Sequence, residues 1–387
     1  MISVLARIFV KDQDVSKPEV REKFGILCGG VGVGLNILLC IIKIIAGNIT
    51  GAVSIVADAI NNISDAGSSI IMMVGFKMAG KKADPDHPFG HGRVEYVTGL
   101  IVSLAIILMG VELVKSSVMK ILHPSPVEFS IVAIVILAVS ILVKIYMFAY
   151  NNSIGTKVSS AVMKATARDS ISDAVSTAVV LACMFITKYS GISVDGMCGL
   201  MVAAFILFTG FSSAKDTLDP LLGSKPSKEY VELIEKFVTS HESIIGVHDL
   251  IVHDYGPGRV MISLHAEVPS TGDMMELHDT IDNIEQKLAT TLGCQAVIHM
   301  DPVVVDDEAT DQMRRLVKLI VKSVDETLSM HDFRMVPGTT HTNLIFDVVL
   351  PFEVPMTEEE VKEIISEKVR ELPGNHYAVI QIDRPYA

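Results

Sequence analysis

The sequence predicts an α-helical membrane protein with six transmembrane helices, followed by α+β ferredoxin-like cytoplasmic domains. Three observations carry that expectation. Half of the 387 residues are hydrophobic and the mean hydropathy is +0.46, too apolar for an ordinary soluble protein. Six apolar stretches in the first 215 residues each approach the ~20 residues that a bilayer requires. After a linker at 216–227, centred on Gly223-Ser224-Lys225-Pro226-Ser227, the chain turns polar and patterned like a small mixed domain.

Residues 1–24 form an amphipathic lead with Arg7, Lys11, Lys17, Arg21 and Lys23. The opening lacks an apolar signal-type core with a cleavage site, so secretion is not expected. The spans are expected near 25–47, 53–76, 96–118, 128–150, 158–187 and 193–213, together a membrane domain over 25–215. The run Gly29-Gly30-Val31-Gly32-Val33-Gly34 follows no strand and is apolar, which rules out a nucleotide loop. Gly30 and Gly34 are spaced for close helix packing. Basic residues crowd the lead and the 77–93 loop, whereas the turns on the other side hold only Lys120 and Lys188. Both termini are therefore expected in the cytoplasm, in a multi-pass protein of the cell membrane.

Two acidic stretches interrupt the apolar pattern, Asn61-Asn62-Ile63-Ser64-Asp65 in the second span and Asp169-Ser170-Ile171-Ser172-Asp173 in the fifth. Side chains four apart share a helix face. Carboxylates inside a membrane are costly and mark ion pathways. If the two helices meet, Asn61, Asp65, Asp169 and Asp173 form an oxygen-lined cage for a divalent cation. Asn62 replaces Asn61 if the register differs, and Asp58, seven residues before Asp65, is a candidate outer ligand. Asn62, Ser64, Ser170 and Ser172 otherwise read as packing or hydrogen-bonding groups.

The net charge of −13 is uneven. From Lys225 onward there are 14 basic and 29 acidic residues, a balance of −15, which leaves +2 for the first 224. Such a tail repels nucleic acid and suits cations. The five cysteines have no metal-type spacing and read as small core residues.

The soluble part reads helix 228–240, strands 246–254 and 259–268, helix 273–291 and strand 295–301. This αββαβ order is that of a ferredoxin-like sandwich over 228–303. The order recurs over 307–387, as 308–328, 331–336, 342–350, 357–371 and 377–383. His248-Asp249-Leu250 matches His331-Asp332-Phe333, and His299-Met300-Asp301-Pro302 matches Gln381-Ile382-Asp383-Arg384. An offset of 82 or 83 residues throughout points to a duplicated domain.

From residue 20 to about 302 the chain resembles the cation diffusion facilitators, exporters of divalent metals. Ala57-Asp58-Ala59-Ile60-Asn61-Asn62-Ile63-Ser64-Asp65 is similar to the family's second-span motif, and Ala167-Arg168-Asp169-Ser170-Ile171-Ser172-Asp173 to its fifth. His87-Pro88-Phe89-Gly90-His91-Gly92-Arg93-Val94-Glu95 is similar to its loop signature. The resemblance implies a homodimer in a lipid membrane, with divalent metal as cargo, protons as counter-ion, no cofactor and no enzymatic activity. It implies a loop metal site at Asp84, His87 and His91, and a cytoplasmic one at His248, His265, His278, His299 and Asp301. The Asn-Asp-Asp-Asp set resembles the manganese branch, since zinc members carry histidine at one or both of the positions of Asn61 and Asp169. The second soluble domain is outside the family's usual plan. With Asp347, Gln381 and Asp383 replacing most of the histidines, it is expected to have lost any metal site. His253, His341 and His376 read as surface residues.

The chemistry agrees with the resemblance. Zinc favours His- and Cys-rich tetrahedral sites, whereas oxygen donors suit Mn²⁺. Three carboxylates in a low-dielectric pocket do not all stay ionised without a cation, so metal is expected to displace protons. The expected function is Mn²⁺/H⁺ antiport. A Zn²⁺, Fe²⁺ or Cd²⁺ exporter is the alternative within the class, and a membrane metallohydrolase or a metal sensor lies outside it.

Overall fold

The computed structural model describes residues 9–10, 15, 18–50, 53–123, 131–190, 195–305 and 307–385, and at a few helix positions the backbone alone. The chain divides into two units, Met1–Ser224 with Asp254–Arg259, and Lys225–His253 with Val260–Ala387.

Long helices build the first unit: α1 (Pro18–Thr50), α2 (Val53–Ala79), α3 (Val94–Leu122), α4 (Ile131–Lys157), α5 (Ala161–Ser190) and α6 (Asp195–Leu222). Among the described residues, α1, α3, α4, α5 and α6 are long and apolar enough to cross a membrane by length and composition. All six helices run past the C-terminal ends of the expected stretches, and α1 and α3 overrun them at both ends. Thus α1 begins inside the expected lead, with Pro18 at its first position, where a missing N–H costs nothing. Likewise α6 continues through 216–222, which sequence reading gave to the linker. Its only proline, Pro220, lies in the last turn, and the helix stops before Gly223, whose φ of +93° favours glycine.

Small residues let these helices approach. The glycines of α1 that meet α2 are Gly25, Gly29 and Gly32, against Phe76, Met73 and Ser69. Their spacing of four and three keeps them on one face. Gly30 and Gly34, expected from their spacing to be the packing pair, have nothing within 4 Å of an added Cβ. They lie one and two residues on, so helical rotation carries them off that face. Gly99, Gly110 and Gly210 play the same part between α3 and α6, where Ser103 also bonds Ser213 at 3.0 Å. A buried ion pair joins α1 to α3: Arg21 lies 3.1 Å from Glu95 Oε2 and donates to the Val158 carbonyl as well. The cysteines are free, and all but Cys198 are buried.

The second unit holds two αββαβ runs. The first is α7 (Lys228–Thr239), β1 (Gly246–Asp254), β2 (Val260–Pro269), α8 (Met274–Leu292) and β3 (Cys294–Val303). The second is α9 (Glu308–Val324), β4 (Ser329–Pro337), β5 (Thr342–Val349), α10 (Glu358–Arg370) and β6 (His376–Asp383). Each run forms its own three-stranded sheet, in the orders β1-β2-β3 and β4-β5-β6. In each the third strand runs parallel to the second, as a crossover through a helix requires. The helices pack an apolar stripe on their sheets: Ile234, Ile284 and Leu288 meet Leu264 in the first core, and Val317, Val361 and Ile365 meet Phe346 in the second. Alternating burial along β2 and β5 marks the covered face.

Candidate metal centres

Helix α2 supplies Asp65, and α5 supplies Asp169 and Asp173. All three are buried, 4 %, 6 % and 9 % exposed, and their carboxylate oxygens lie within 4.8 Å of one another. The i, i+4 spacing on α5 thus gives the shared face expected, and the two acidic stretches meet. A fourth charged group completes the cluster. Lys144 of α4 places its Nζ 2.6 Å from Asp65 Oδ2 and 2.6 Å from Asp173 Oδ2, with its side chain 5 % exposed. Sequence reading missed Lys144, although the signal was there: the rule that flags a lone carboxylate within an apolar span flags a lone lysine equally. Three carboxylates and one ammonium carry −2 when all are ionised, the complement of one divalent cation.

Asn61 is not part of this buried cluster. It is exposed, whereas Asn62 is 1 % exposed. Four helical residues turn the chain through about 400° and raise it by about 6 Å. Asn61 therefore stands a full turn from Asp65 and some 40° off its direction. Asn62 accepts a hydrogen bond from Lys43 Nζ at 2.6 Å and donates to Asn36 at 3.5 Å, which ties α2 to α1. Lys43 and Asn36 were also missed. Ser170 and Ser172 donate back to the carbonyls of Thr166 and Arg168, as packing residues do. The side chain of Asp58 lies outside those described.

In the loop after α2, Asp84, His87 and His91 do come together, each offering a ligand atom within 4.8 Å of the others. Asp84 lies 3.4 Å from His87 Nδ1 and 3.4 Å from His91 Nε2. The backbone N–H of His87 donates to Asp84 Oδ1 and holds that carboxyl below the usual range.

In the second unit, Asp301 is the hub. His248 Nε2 lies 3.2 Å away, His265 Nδ1 2.9 Å and His299 Nε2 3.3 Å. Parallel pairing sets His265 beside His299 and Glu267 beside Asp301, one strand apart, which brings these side chains into reach. His278 is not brought in. It sits on the exposed side of α8 and pairs with Asp282 one turn on, at 3.5 Å. Burial lowers the His248 pKa, but Asp249 and Asp301 outweigh that and raise it.

The second run is not bare of ligand groups, contrary to expectation. Asp249, His331 and Asp383 place ligand atoms within 4.8 Å of one another. Burial and neighbouring His248 hold His331 below the ordinary imidazole range, so its ring is neutral at pH 7, the form that binds metal. His253 is exposed, while His341 and His376 are half-buried, the first against Tyr377 and Thr340 and the second at the Pro373 carbonyl.

Comparison with known proteins agrees with this geometry. Residues 31–222 match the cation efflux transmembrane domain, and 226–303 match the cytoplasmic domain of cation efflux proteins. An uncharacterized transporter of Methanocaldococcus jannaschii is 35% identical over 269 residues, covering 69% of this chain and 95% of its own. The cation-efflux pump FieF of Escherichia fergusonii is 28% identical over 270 residues, covering 68% and 88%, and that of Escherichia coli is 27% identical over the same length and shares. With three acids meeting inside apolar helices, and a relative matched along nearly its whole length, the chain belongs to the cation efflux family of multi-pass membrane transporters and is not an enzyme.

Proposed function

We propose that this protein exports a divalent cation from the cytoplasm, Mn²⁺ in preference to Zn²⁺, in exchange for protons. The observation that carries the reading is the buried meeting of Asp65, Asp169 and Asp173 around the ammonium of Lys144. With Lys144 charged, one divalent ion neutralises the cluster, and so do two protons. Exchanging one for the other leaves the buried site uncharged throughout, which a low-dielectric interior demands. Oxygen donors without imidazole or thiolate favour Mn²⁺ over Zn²⁺ by geometry and coordination number, against the intrinsic affinity order.

The same reading makes α2 the sixth span. Its 27 residues are about 40 Å long, and its Asn62, Asp65 and Ser69 are buried. Asn61 lines the mouth of the site, one turn from Asp65. Both termini lie in the cytoplasm, the protein is a homodimer in the cell membrane, and the second αββαβ run is a ferredoxin-like duplicate of the first. The loop and Asp301 clusters take up the same cytoplasmic metals.

The test is uptake of Mn²⁺ and Zn²⁺ into vesicles carrying the purified protein under an imposed proton gradient. Mn²⁺ uptake above Zn²⁺ that alkalinises the metal-accumulating lumen, and that collapses once the gradient is dissipated, supports antiport. Uptake indifferent to the gradient overturns antiport. Zn²⁺, Fe²⁺ or Cd²⁺ carried better than Mn²⁺ overturns the selectivity.

A further inference from the structure

The two αββαβ runs meet at corresponding positions. The offset of 83 residues pairs His248 with His331, and the rings of these two histidines stack with centroids 4.3 Å apart at 27°. Contact between a residue and its own counterpart is what an approximate two-fold relation produces. The relation extends to the carboxylates. His248 Nε2 faces Asp301 at 3.2 Å within the first run, and His331 Nε2 faces Asp383, the counterpart of Asp301, at 3.7 Å within the second. A further contact crosses the seam, from His331 Nε2 to Asp249 Oδ1 at 3.7 Å.

These groups lack the partners that burial demands. The His331 side chain is 9 % exposed, and neither of its ring nitrogens is hydrogen-bonded. Asp383 Oδ2 is buried without a hydrogen bond too. A separation of 3.7 Å is too long for a hydrogen bond. It suits two ligands of a single ion, since bonds of about 2.0–2.2 Å in a tetrahedral shell hold donor atoms about 3–4 Å apart. Orphaned buried polar atoms call for an explanation, and an ion is one.

The backbone is bent to serve these side chains. Asp249 and its counterpart Asp332 both have φ of +51°, in the left-handed region that non-glycine residues rarely enter. The β4–β5 register shifts between His331 and Arg334, and such bulges re-aim side chains. The surroundings are acidic. Asp347 stands opposite His331 in the β4–β5 pairing. Burial, followed by the charges of Asp383, Asp332 and Asp249, pushes Asp347 up to about 6. The guanidinium of Arg334 is engaged by Asp332 at 2.5 Å.

We propose that Asp249, His331 and Asp383 form a divalent-metal site on the seam between the two αββαβ runs, adjoining the cluster around Asp301, whose His248 lies 3.4 Å from Asp249. One imidazole and two carboxylates, with water in the remaining position, suit Zn²⁺, Co²⁺, Fe²⁺ or Mn²⁺ and not a soft monovalent metal. Because Asp249 comes from β1, and His331 and Asp383 from β4 and β6, the ion fastens one run to the other. The added domain thereby becomes a metal-dependent attachment to the first. This site does not depend on the transport reading, since it lies wholly in the second unit.

The test uses the full-length protein in detergent, stripped of metal and then dialysed against Zn²⁺, with bound metal counted per chain. His331→Gln and Asp383→Asn are each expected to lose one equivalent relative to wild type. Asp301→Asn is expected to lose a different one, so that the double variant Asp301→Asn with His331→Gln loses both. An unchanged count in His331→Gln and Asp383→Asn overturns the proposal. Should either variant misfold, the wild-type protein still decides. Hydrogen exchange in β4 and β6 is expected to slow at least severalfold on adding Zn²⁺, and exchange there that ignores Zn²⁺ overturns the site.

Discussion

Lys144 Nζ lies 2.6 Å from Asp65 Oδ2, deep among the membrane-type helices, and reaches Asp173 at the same distance. A tethered cation thus engages two of the three carboxylates that a divalent ion would bind. Metal must displace it or share those oxygens with it, and its return helps to expel the metal. Lys144→Gln is therefore expected to tighten metal binding by tenfold or more, about 1.4 kcal/mol, while slowing maximal transport. Metal-dependent flux against concentration in vesicles separates the two effects. A raised KM in Lys144→Gln would mean that the lysine helps to hold the cargo.

The three acids are not equivalent. Asp65 and Asp173 each bond Lys144, whereas Asp169 makes no such bond and adds like charge to the cluster. Asn in place of any one is expected to abolish transport. Their effects on stability should differ. Breaking a buried charged pair costs about 3–5 kcal/mol when its partner is left uncompensated, and less where a second partner remains. Asp65→Asn and Asp173→Asn should lower the melting temperature by several degrees. Asp169→Asn should leave it unchanged or raise it. Equal losses in all three would show that Asp169 also holds the helices together.

Much of this was legible in the sequence, and the gaps have physical causes. Period and turn chemistry placed the strands Gly246–Asp254 and Thr342–Val349 within a residue, because alternation is a local signal. Asp65, Asp169 and Asp173 were legible because an acid in an apolar helix has few bland explanations. Lys144 is a lone lysine in an apolar helix with no motif around it, and only the meeting of the helices shows it as the cation among the acids. His331 does not stand out in the sequence, because Asp347 and Gln381 hold the positions where the first run has His265 and His299. Which residues of two domains face one another is set by packing, and no local pattern records it. The choice of Gly30 and Gly34 failed for a related reason: a small-residue spacing says that close approach is feasible, not which face the neighbouring helix takes.

Those glycines give a direct contrast. An added side chain at Gly29 runs into Met73 and the Ser69 carbonyl, whereas at Gly30 it meets nothing within 4 Å. Overpacking a tight contact typically costs about 1–3 kcal/mol, and more when the obstacle is backbone. Gly29→Leu is expected to lower yield and melting temperature in detergent, and to displace α2 with Asp65 enough to impair transport. Gly30→Leu should resemble wild type in all three. The reverse order would show that α1 turns a different face toward α2.

The second αββαβ run offers a test by pH. Thr357 accepts from the Glu360 N–H at 3.3 Å, and Glu360 Oε2 accepts from the Thr357 N–H at 2.8 Å, a reciprocal cap at the start of α10. Those bonds, the backbone one foremost, hold the Glu360 carboxyl below the usual glutamate range. A depressed carboxyl means that the unfolded chain binds more protons in the window between the two values, so stability rises with pH there. The contribution is complete above the ordinary glutamate value of about 4.3 and disappears as pH falls through the lower folded value. Thr357→Ala should cost about 1 kcal/mol at neutral pH, seen as roughly fivefold faster opening of α10 in hydrogen exchange corrected for intrinsic rate. Glu360→Gln keeps an acceptor without a proton to bind, so it should retain most of the cap and lose the acid dependence. Parallel acid weakening of α10 in wild type and Glu360→Gln would place the sensitive carboxylate elsewhere, with Glu358 and its contact to Arg384 at 3.4 Å as the next residue to change.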